Sequence, residues 1–294
     1  MQHQAELWSP GTDRRVHCAL CAHRCDIGAG RSGVCGVRTN IDGTLYTSVY
    51  GNPIAVHIDP IEKKPLYHFL PGTKTLSLAT IGCNFRCSFC QNWRISQRRS
   101  AAGTSADDAP VDEVGPEGLV EKAIVEGCPS ISYTYTEPTV FFEYAMDTSR
   151  IAHSRGLKNI FVTNGYMTRE AADAAAPFLD AANVDLKSFR DEFYRKQCKA
   201  RLTPVLDTIQ NLVARSVWVE VTTLIIPGEN DSDEELTDIA RFLKGISVAI
   251  PWHVTRFHPD YHLRGTEATP RATVERAREI GLAEGLVSVH TGNL

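Results

Sequence analysis

From about residue 73 to residue 260 the chain alternates short apolar runs with amphipathic stretches, and that rhythm limits the fold more than any other feature. Leu76 to Ile81 predicts a first strand. Ile131 to Tyr135, Ile160 to Thr163, Val184 to Lys187, Val217 to Ile226 and Trp252 to Phe257 predict five more. Helical stretches lie between them, at roughly Gly115 to Glu126 and at Thr139 to Arg155. Another helix opens with Thr203 as N-cap and Pro204 as first helical residue. A further one starts at a Ser232–Glu235 capping box and stops at Gly245. A helix and a short strand end the chain. Strand–helix alternation of this kind builds a parallel α/β sheet, and sites in such folds lie beyond the C-terminal ends of the strands. The residues after each strand are therefore the ones to inspect.

Two parts are expected: an N-terminal Cys-rich extension, residues 1–72, and the α/β part, residues 73–294. The extension is also rich in glycine, with strand-like runs at Leu45 to Tyr50 and Ile54 to Ile58. The small, polar stretch 99–116 predicts a loop. A chain of 294 residues, 43% of them hydrophobic, has enough interior for one large core. A net charge of -4 gives no general push toward nucleic acid or anionic membrane. No basic segment followed by an apolar run opens the chain, and no window approaches the roughly 18 apolar residues of a spanning helix. A cytoplasmic protein with no membrane partner is expected.

Nine cysteines in a reducing compartment argue against a disulfide framework. Cys128 and Cys198 stand alone and read as small buried hydrophobes. The other seven form two groups. One follows the first strand, in Ile81-Gly-Cys83-Asn-Phe-Arg-Cys87-Ser-Phe-Cys90-Gln-Asn. Thiolates are soft ligands suited to iron–sulfur clusters and zinc. Three of them can hold three irons of a cubane and leave the fourth iron open to chelate an amino and a carboxylate group. A structural zinc wants four closed ligands, and this loop has no fourth cysteine nearby. Cys83, Cys87 and Cys90 therefore read as catalytic ligands of a [4Fe–4S] cluster.

With Phe89 ahead of its last cysteine, this loop resembles that of the radical S-adenosylmethionine (SAM) superfamily. The resemblance implies a partial (β/α)6 TIM-like barrel. It implies one electron passed from the cluster into SAM, giving methionine and a 5′-deoxyadenosyl radical that abstracts hydrogen. An external electron donor of flavodoxin or ferredoxin type follows. Cofactor contacts are implied strand by strand. Thr136 and Glu137 occupy the place of a Gly-Gly-Glu stretch, where Glu137 would accept from the SAM ammonium; the alternative is a solvated strand-end carboxylate. Asn164, before Gly165, is a contact or part of a plain turn. Asp185 and Lys187 match an activase-like Asp-x-Lys pair, with Lys187 at the methionine carboxylate, or else a pair bracing the barrel. Ile226-Pro227-Gly228 would lie near adenine. His253 resembles a ribose-contacting histidine of activases, with a core histidine as the alternative. Arg256, His258 and Asp260 would line the substrate pocket.

The wider pattern is narrower than the superfamily. It includes Cys18-x2-Cys21-x-His23-x-Cys25, Gly33-Val34-Cys35-Gly36-Val37-Arg38, and Asp59-Pro-Ile-Glu-Lys-Lys-Pro-Leu-Tyr-His-Phe69. Tyr133 to Pro138 and Trp252 to Tyr261 complete it. Together these resemble the radical enzyme of the AmmeMemoRadiSam system, related to pyruvate formate-lyase activating enzymes. Members often continue past Thr-Gly-Asn into a tail with a Cys-x-x-Cys pair, whereas this sequence stops at Leu294. The substrate implied is a protein or peptide; a small metabolite or RNA base is the alternative, and an inactive metal-binding scaffold a third. Cys18, Cys21, Cys25 and Cys35 supply four thiolates, with His17 and His23 as possible substitutes. They suffice for a structural zinc or a fully ligated second cluster, or they are reduced, unligated thiols.

Overall fold

The computed structural model describes residues 3–98 and 113–294, so most of the stretch expected as a loop at 99–116 lies outside the described residues. Seven strands run parallel in chain order: Lys74–Ala79, Ser130–Tyr133, Lys158–Thr163, Ala181–Asp185, Trp218–Ile225, Trp252–Arg256 and Val289–Gly292. An eighth, Ala55–Pro60, pairs antiparallel with the first, so the sheet takes in part of the N-terminal segment. All six expected strands are present. Most are buried on both faces, by helices outside and by the barrel interior within; every residue of Ser130–Tyr133 is buried. In the helix Asp233–Ile246, Leu236, Ile239, Ala240 and Leu243 are buried at the spacing of one helical face. Residues in or just after seven successive strands line one cavity, which is the geometry of a partial TIM-like barrel. Among the described residues no helix is long and apolar enough to cross a membrane.

Local differences have local causes. The fourth strand spans Ala181–Asp185, because the small residues Ala181, Ala182 and Asn183 are held by both neighbouring strands. Leu202, not Thr203, holds the N-cap position, and no side chain caps that helix. Ser232 caps as expected, accepting from Glu235 N at 3.3 Å. The Glu235 carboxylate does not return the bond; it accepts from Ser188 and from Phe189 N. The helix runs one residue past Gly245.

Residues 61–70 strap the N-terminal mouth of the barrel. Glu220 accepts from the main-chain N–H groups of Tyr67 (3.1 Å) and His68 (2.9 Å). Asn183 donates to the Pro65 carbonyl at 2.8 Å, and His68 Nε2 meets His290 Nε2 at 2.8 Å. Burial, with His253 and His68 adjacent, lowers the His290 pKa, so His290 is neutral in the fold. Below about pH 6.5, the ordinary histidine value, the unfolded chain then binds more protons than the folded one. Stability is expected to fall as pH drops from there toward the lower folded value. Melting temperatures across that range should fall less steeply in His290→Gln; identical slopes would contradict the assignment.

Candidate functional site

The first parallel strand ends at Ala79, and the cysteine loop begins with Gly82 in the left-handed region at φ +92°. A Cβ there would stand 2.6 Å from Val37 Cγ1 and 3.1 Å from the Cys35 carbonyl, so only glycine fits under the N-terminal segment. Beyond it, Cys83, Cys87 and Cys90 open on one cavity of about 600 Å³, within the usual range of ligand pockets. Thr136, Glu137, Asn164, Asp185 and Lys187 line the same cavity. Side chains from three further strand ends are thus brought together with the three thiols.

The Cys83 sulfur accepts from Phe85 N at 3.3 Å and from Asn164 Nδ2 at 3.7 Å. Cys90 Sγ lies 3.1 Å from Ser96 Oγ. Cys198, fully buried as expected of a small hydrophobe, lies close to Cys87. Burial pushes the Cys83 thiol up, with Glu137 adding to it; the Cys198 bond and then burial raise Cys87; burial raises Cys90. Thiols so placed ionise only when positive charge joins them, as metal binding provides. Beside Cys83, the amide nitrogen of Asn84 is buried with no hydrogen-bond partner, a donor suited to a sulfur acceptor. Among the described residues no fourth cysteine lines the cavity. Three thiols around an open space, with a spare donor, fit a cubane whose corners sit on separate irons.

Glu137 is 2% exposed and organises the far wall. Its Oε1 accepts from Thr139 N (3.0 Å), Thr139 Oγ1 (2.5 Å) and Thr163 Oγ1 (2.7 Å); its Oε2 accepts from Asn164 N (2.7 Å). Burial raises its pKa against these donors. Carboxylate oxygens carry about four acceptor positions between them, and Oε2 keeps one free for a ligand. Asn164 donates Nδ2 to Asn84 Oδ1 at 2.7 Å, tying the third strand end to the cysteine loop. Thr136 donates to the Thr80 carbonyl at 2.9 Å, which fixes that wall to the first strand. Lys187 Nζ lies 2.8 Å from Asp185 Oδ2. Burial opposes its charge, but Asp185 holds its pKa well above the ordinary lysine value.

His253 is not part of this cavity. It sits at the N-terminal end of its strand, with Nε2 2.6 Å from Glu220 Oε2 and a ring stacked on His290. Strand side chains alternate, and Thr255, two residues on, reaches the cavity instead. Arg256 donates to the Thr269 carbonyl, and Asp260 accepts from Tyr261 N; neither lines the cavity. His258 touches the rim through Gln91 at 3.3 Å. Ile226 to Gly228 form a turn closed by Asn230, and Leu224 is the cavity residue of that strand. Cys18, Cys21, Cys25 and Cys35 gather outside the cavity, behind the cysteine loop.

The floor was not anticipated. Lys63, Lys64 and Pro65 of the strap line it, and Lys64 is 1% exposed. Asp59 Oδ2 takes Lys64 Nζ at 2.7 Å and the Tyr135 hydroxyl, while Asp59 Oδ1 takes Lys63 at 2.8 Å. Tyr135 reaches down from a left-handed main-chain position, φ +62°, a conformation that concentrates at functional sites.

Comparison with known proteins agrees with this architecture. A protein of Methanocaldococcus jannaschii described as uncharacterized is 47% identical over 292 residues, 99% of this chain and 85% of that one. The pyruvate formate-lyase 1-activating enzyme of Escherichia coli K12 is 21% identical over 68% of this chain and 85% of its own length. The crystal structure of a radical SAM methyltransferase from Sphaerobacter thermophilus shares the fold, with a TM-score of 0.58 at 19% identity over 76% of this chain and 67% of that one. Residues 78–243, more than half the chain, match the radical SAM superfamily profile. That span begins inside the first parallel strand and takes in the cysteine loop, Glu137, Asn164 and the Asp185–Lys187 pair, so the chain belongs to the radical SAM superfamily.

Proposed function

We propose that this protein cleaves SAM reductively and takes hydrogen from a protein or peptide-like substrate, in the manner of an activating enzyme. One observation carries the reading: Cys83, Cys87 and Cys90 share a cavity with Glu137, Asn164 and the Asp185–Lys187 pair. Membership implies a [4Fe–4S] cluster and SAM, and the cluster, when bound, supplies the electron that splits SAM into methionine and a 5′-deoxyadenosyl radical. The chain's own residues bind and orient. Lys187 presents an ammonium to the methionine carboxylate of SAM, and Glu137 offers its free Oε2 position to the SAM ammonium. Asn164 and Thr136 hold that wall against the cysteine loop. The strap at 61–70 shuts the barrel's N-terminal end against water.

The likeness to a pyruvate formate-lyase activating enzyme supports a protein substrate. It also supports a reductant of flavodoxin or ferredoxin type and a reducing cytoplasm as the compartment. The Cys-rich N-terminus and the Asp59–Phe69 strap support an assignment to the AmmeMemoRadiSam branch. Deuterium transfer tests the substrate class. Lysate from cells grown in deuterated medium is separated by size and incubated with reduced enzyme and SAM. Deuterated 5′-deoxyadenosine is expected with the macromolecular fraction; label arising only with the small-molecule fraction would favour a metabolite.

Lys187→Ala is expected to weaken SAM binding about 10- to 150-fold, the equivalent of about 1.5–3 kcal/mol for a charge-assisted hydrogen bond. Anaerobic titration calorimetry measures it. Affinity within about twofold of wild type would make Lys187 a structural partner of Asp185 only.

A further inference from the structure

We propose that Cys18, Cys21, Cys25 and Cys35 form a four-thiolate metal centre that holds the cluster-bearing loop in place from behind. The proposed reaction uses none of these four. They come from separate turns of a Gly-rich segment whose strands are two to four residues long. The fold nevertheless gathers them: Cys18 N donates to the Cys25 carbonyl at 2.9 Å, a Cβ on Gly33, two residues before Cys35, would stand 3.5 Å from Cys25 Sγ, and Cys18, Cys25 and Cys35 all lie near enough to act on Cys21.

The surroundings are built for negative sulfur. The main-chain N–H of His23 faces Cys21, that of Val34 faces Cys25, and those of Val37 and Arg38 face Cys35. The Arg38 guanidinium, 1% exposed, donates Nη1 to Cys18 Sγ at 3.2 Å and Nη2 to Glu143, while its Nε is buried without a partner. Four thiols met by N–H donors in a segment with such short strands suit a bound cation, which such a segment needs to hold its fold. The thiols are gathered but not closed. Among the described residues no three His, Cys, Asp or Glu side chains already stand as one ion's ligands. Rotation of the cysteine side chains about a zinc completes a single-ion site, and a cubane needs less convergence because each thiolate takes its own iron. Both occupants share the same four-thiolate chemistry.

The position gives the centre its role. His23 donates Nε2–H to the Asn84 carbonyl at 2.7 Å. Arg86 donates to the Val34 carbonyl, and Cys35 O presses on Gly82. On the other side, Ala22 N meets the Tyr166 carbonyl at 3.0 Å and Thr168 Oγ1 meets the Ala19 carbonyl at 2.6 Å. The segment therefore grips both the loop carrying Cys83 and the one following Asn164.

The test is metal and sulfide analysis of the full chain after anaerobic reconstitution, with X-ray absorption on any zinc found. Wild type is expected to hold either one zinc with an all-sulfur shell, or about four irons and four sulfides beyond those of the Cys83 loop. Cys83→Ala should keep that extra metal, and Cys25→Ser and Cys35→Ser should each lose it. Both should also retain less than about half of the Cys83-loop iron, whereas Cys128→Ser retains all metal. Because one variant could fail to fold, the wild-type metal content and sulfur shell stand as independent readouts. Wild type with no zinc and no more than about four irons overturns the proposal, as does a nitrogen or oxygen shell. SAM cleavage is scored separately: extra metal without cleavage sinks only the proposed function, and cleavage without extra metal sinks only this centre.

Discussion

Cys83→Ala, Cys87→Ala and Cys90→Ala are each expected to reduce 5′-deoxyadenosine formation to background. Each side chain anchors one corner of a cubane, and alanine offers no donor. The loop has nothing to spare at Cys83 or Cys90, whose nearest polar neighbours are amides and a serine hydroxyl, poor ligands for a soft site. The Cys198 thiol lies near Cys87 but is fully buried and does not line the cavity. It is therefore not placed to take the vacated corner in Cys87→Ala, and the double variant Cys87→Ala/Cys198→Ala is expected to match the single one. Iron and sulfide counts accompany each assay. Full turnover in any cluster-loaded single variant would contradict the ligand assignment.

The largest expected change in stability lies at the cavity floor. Lys64→Met leaves the Asp59 carboxylate, 7% exposed, without its buried partner. Removing one member of a buried ion pair costs about 3–5 kcal/mol, because a charge stays behind in a poorly solvated place. Lys63 also reaches Asp59 but is 61% exposed, so it replaces little of what is lost. Burial alone would raise the Asp59 pKa, yet bonds from Lys63, Lys64 and Tyr135 hold it well below the usual carboxylate range. Its stabilising contribution is thus present above about pH 3.9 and fades only as pH falls below that. Urea unfolding at neutral pH should show the loss in Lys64→Met and recover most of it in Asp59→Leu/Lys64→Met. A single-variant loss under about 1 kcal/mol would mean Asp59 is solvated in solution.

Much of this site was legible because its chemistry is local. The Cys-x3-Cys-x2-Cys spacing needs only one loop, and Glu137, Asn164, Asp185 and Lys187 follow strands whose apolar runs stand out. The rule that sites lie at C-terminal strand ends selected them, and the same rule argued against His253. That residue is second in Trp252–Arg256, near the wrong end of the strand, and resemblance to activases outweighed its position. Thr255 shares its face and lies at the right depth. Lys64 and Tyr135 were beyond reach for a different reason. Their meeting at Asp59 depends on Ala55–Pro60 pairing antiparallel with the first parallel strand, a long-range choice that no local periodicity encodes. The Cys87–Cys198 contact likewise joins residues more than a hundred positions apart. The fourth strand was displaced because Ala181, Ala182 and Asn183 take strand form from their neighbours rather than from their own preference.

The most direct test of the central claim is the fate of SAM on the wild-type protein. The anaerobically reconstituted, chemically reduced chain should convert SAM to 5′-deoxyadenosine and methionine in equal amounts, and should form neither without reductant. No 5′-deoxyadenosine above the Cys83→Ala level, in protein whose iron, sulfide and absorption spectrum verify an intact cluster, would contradict it.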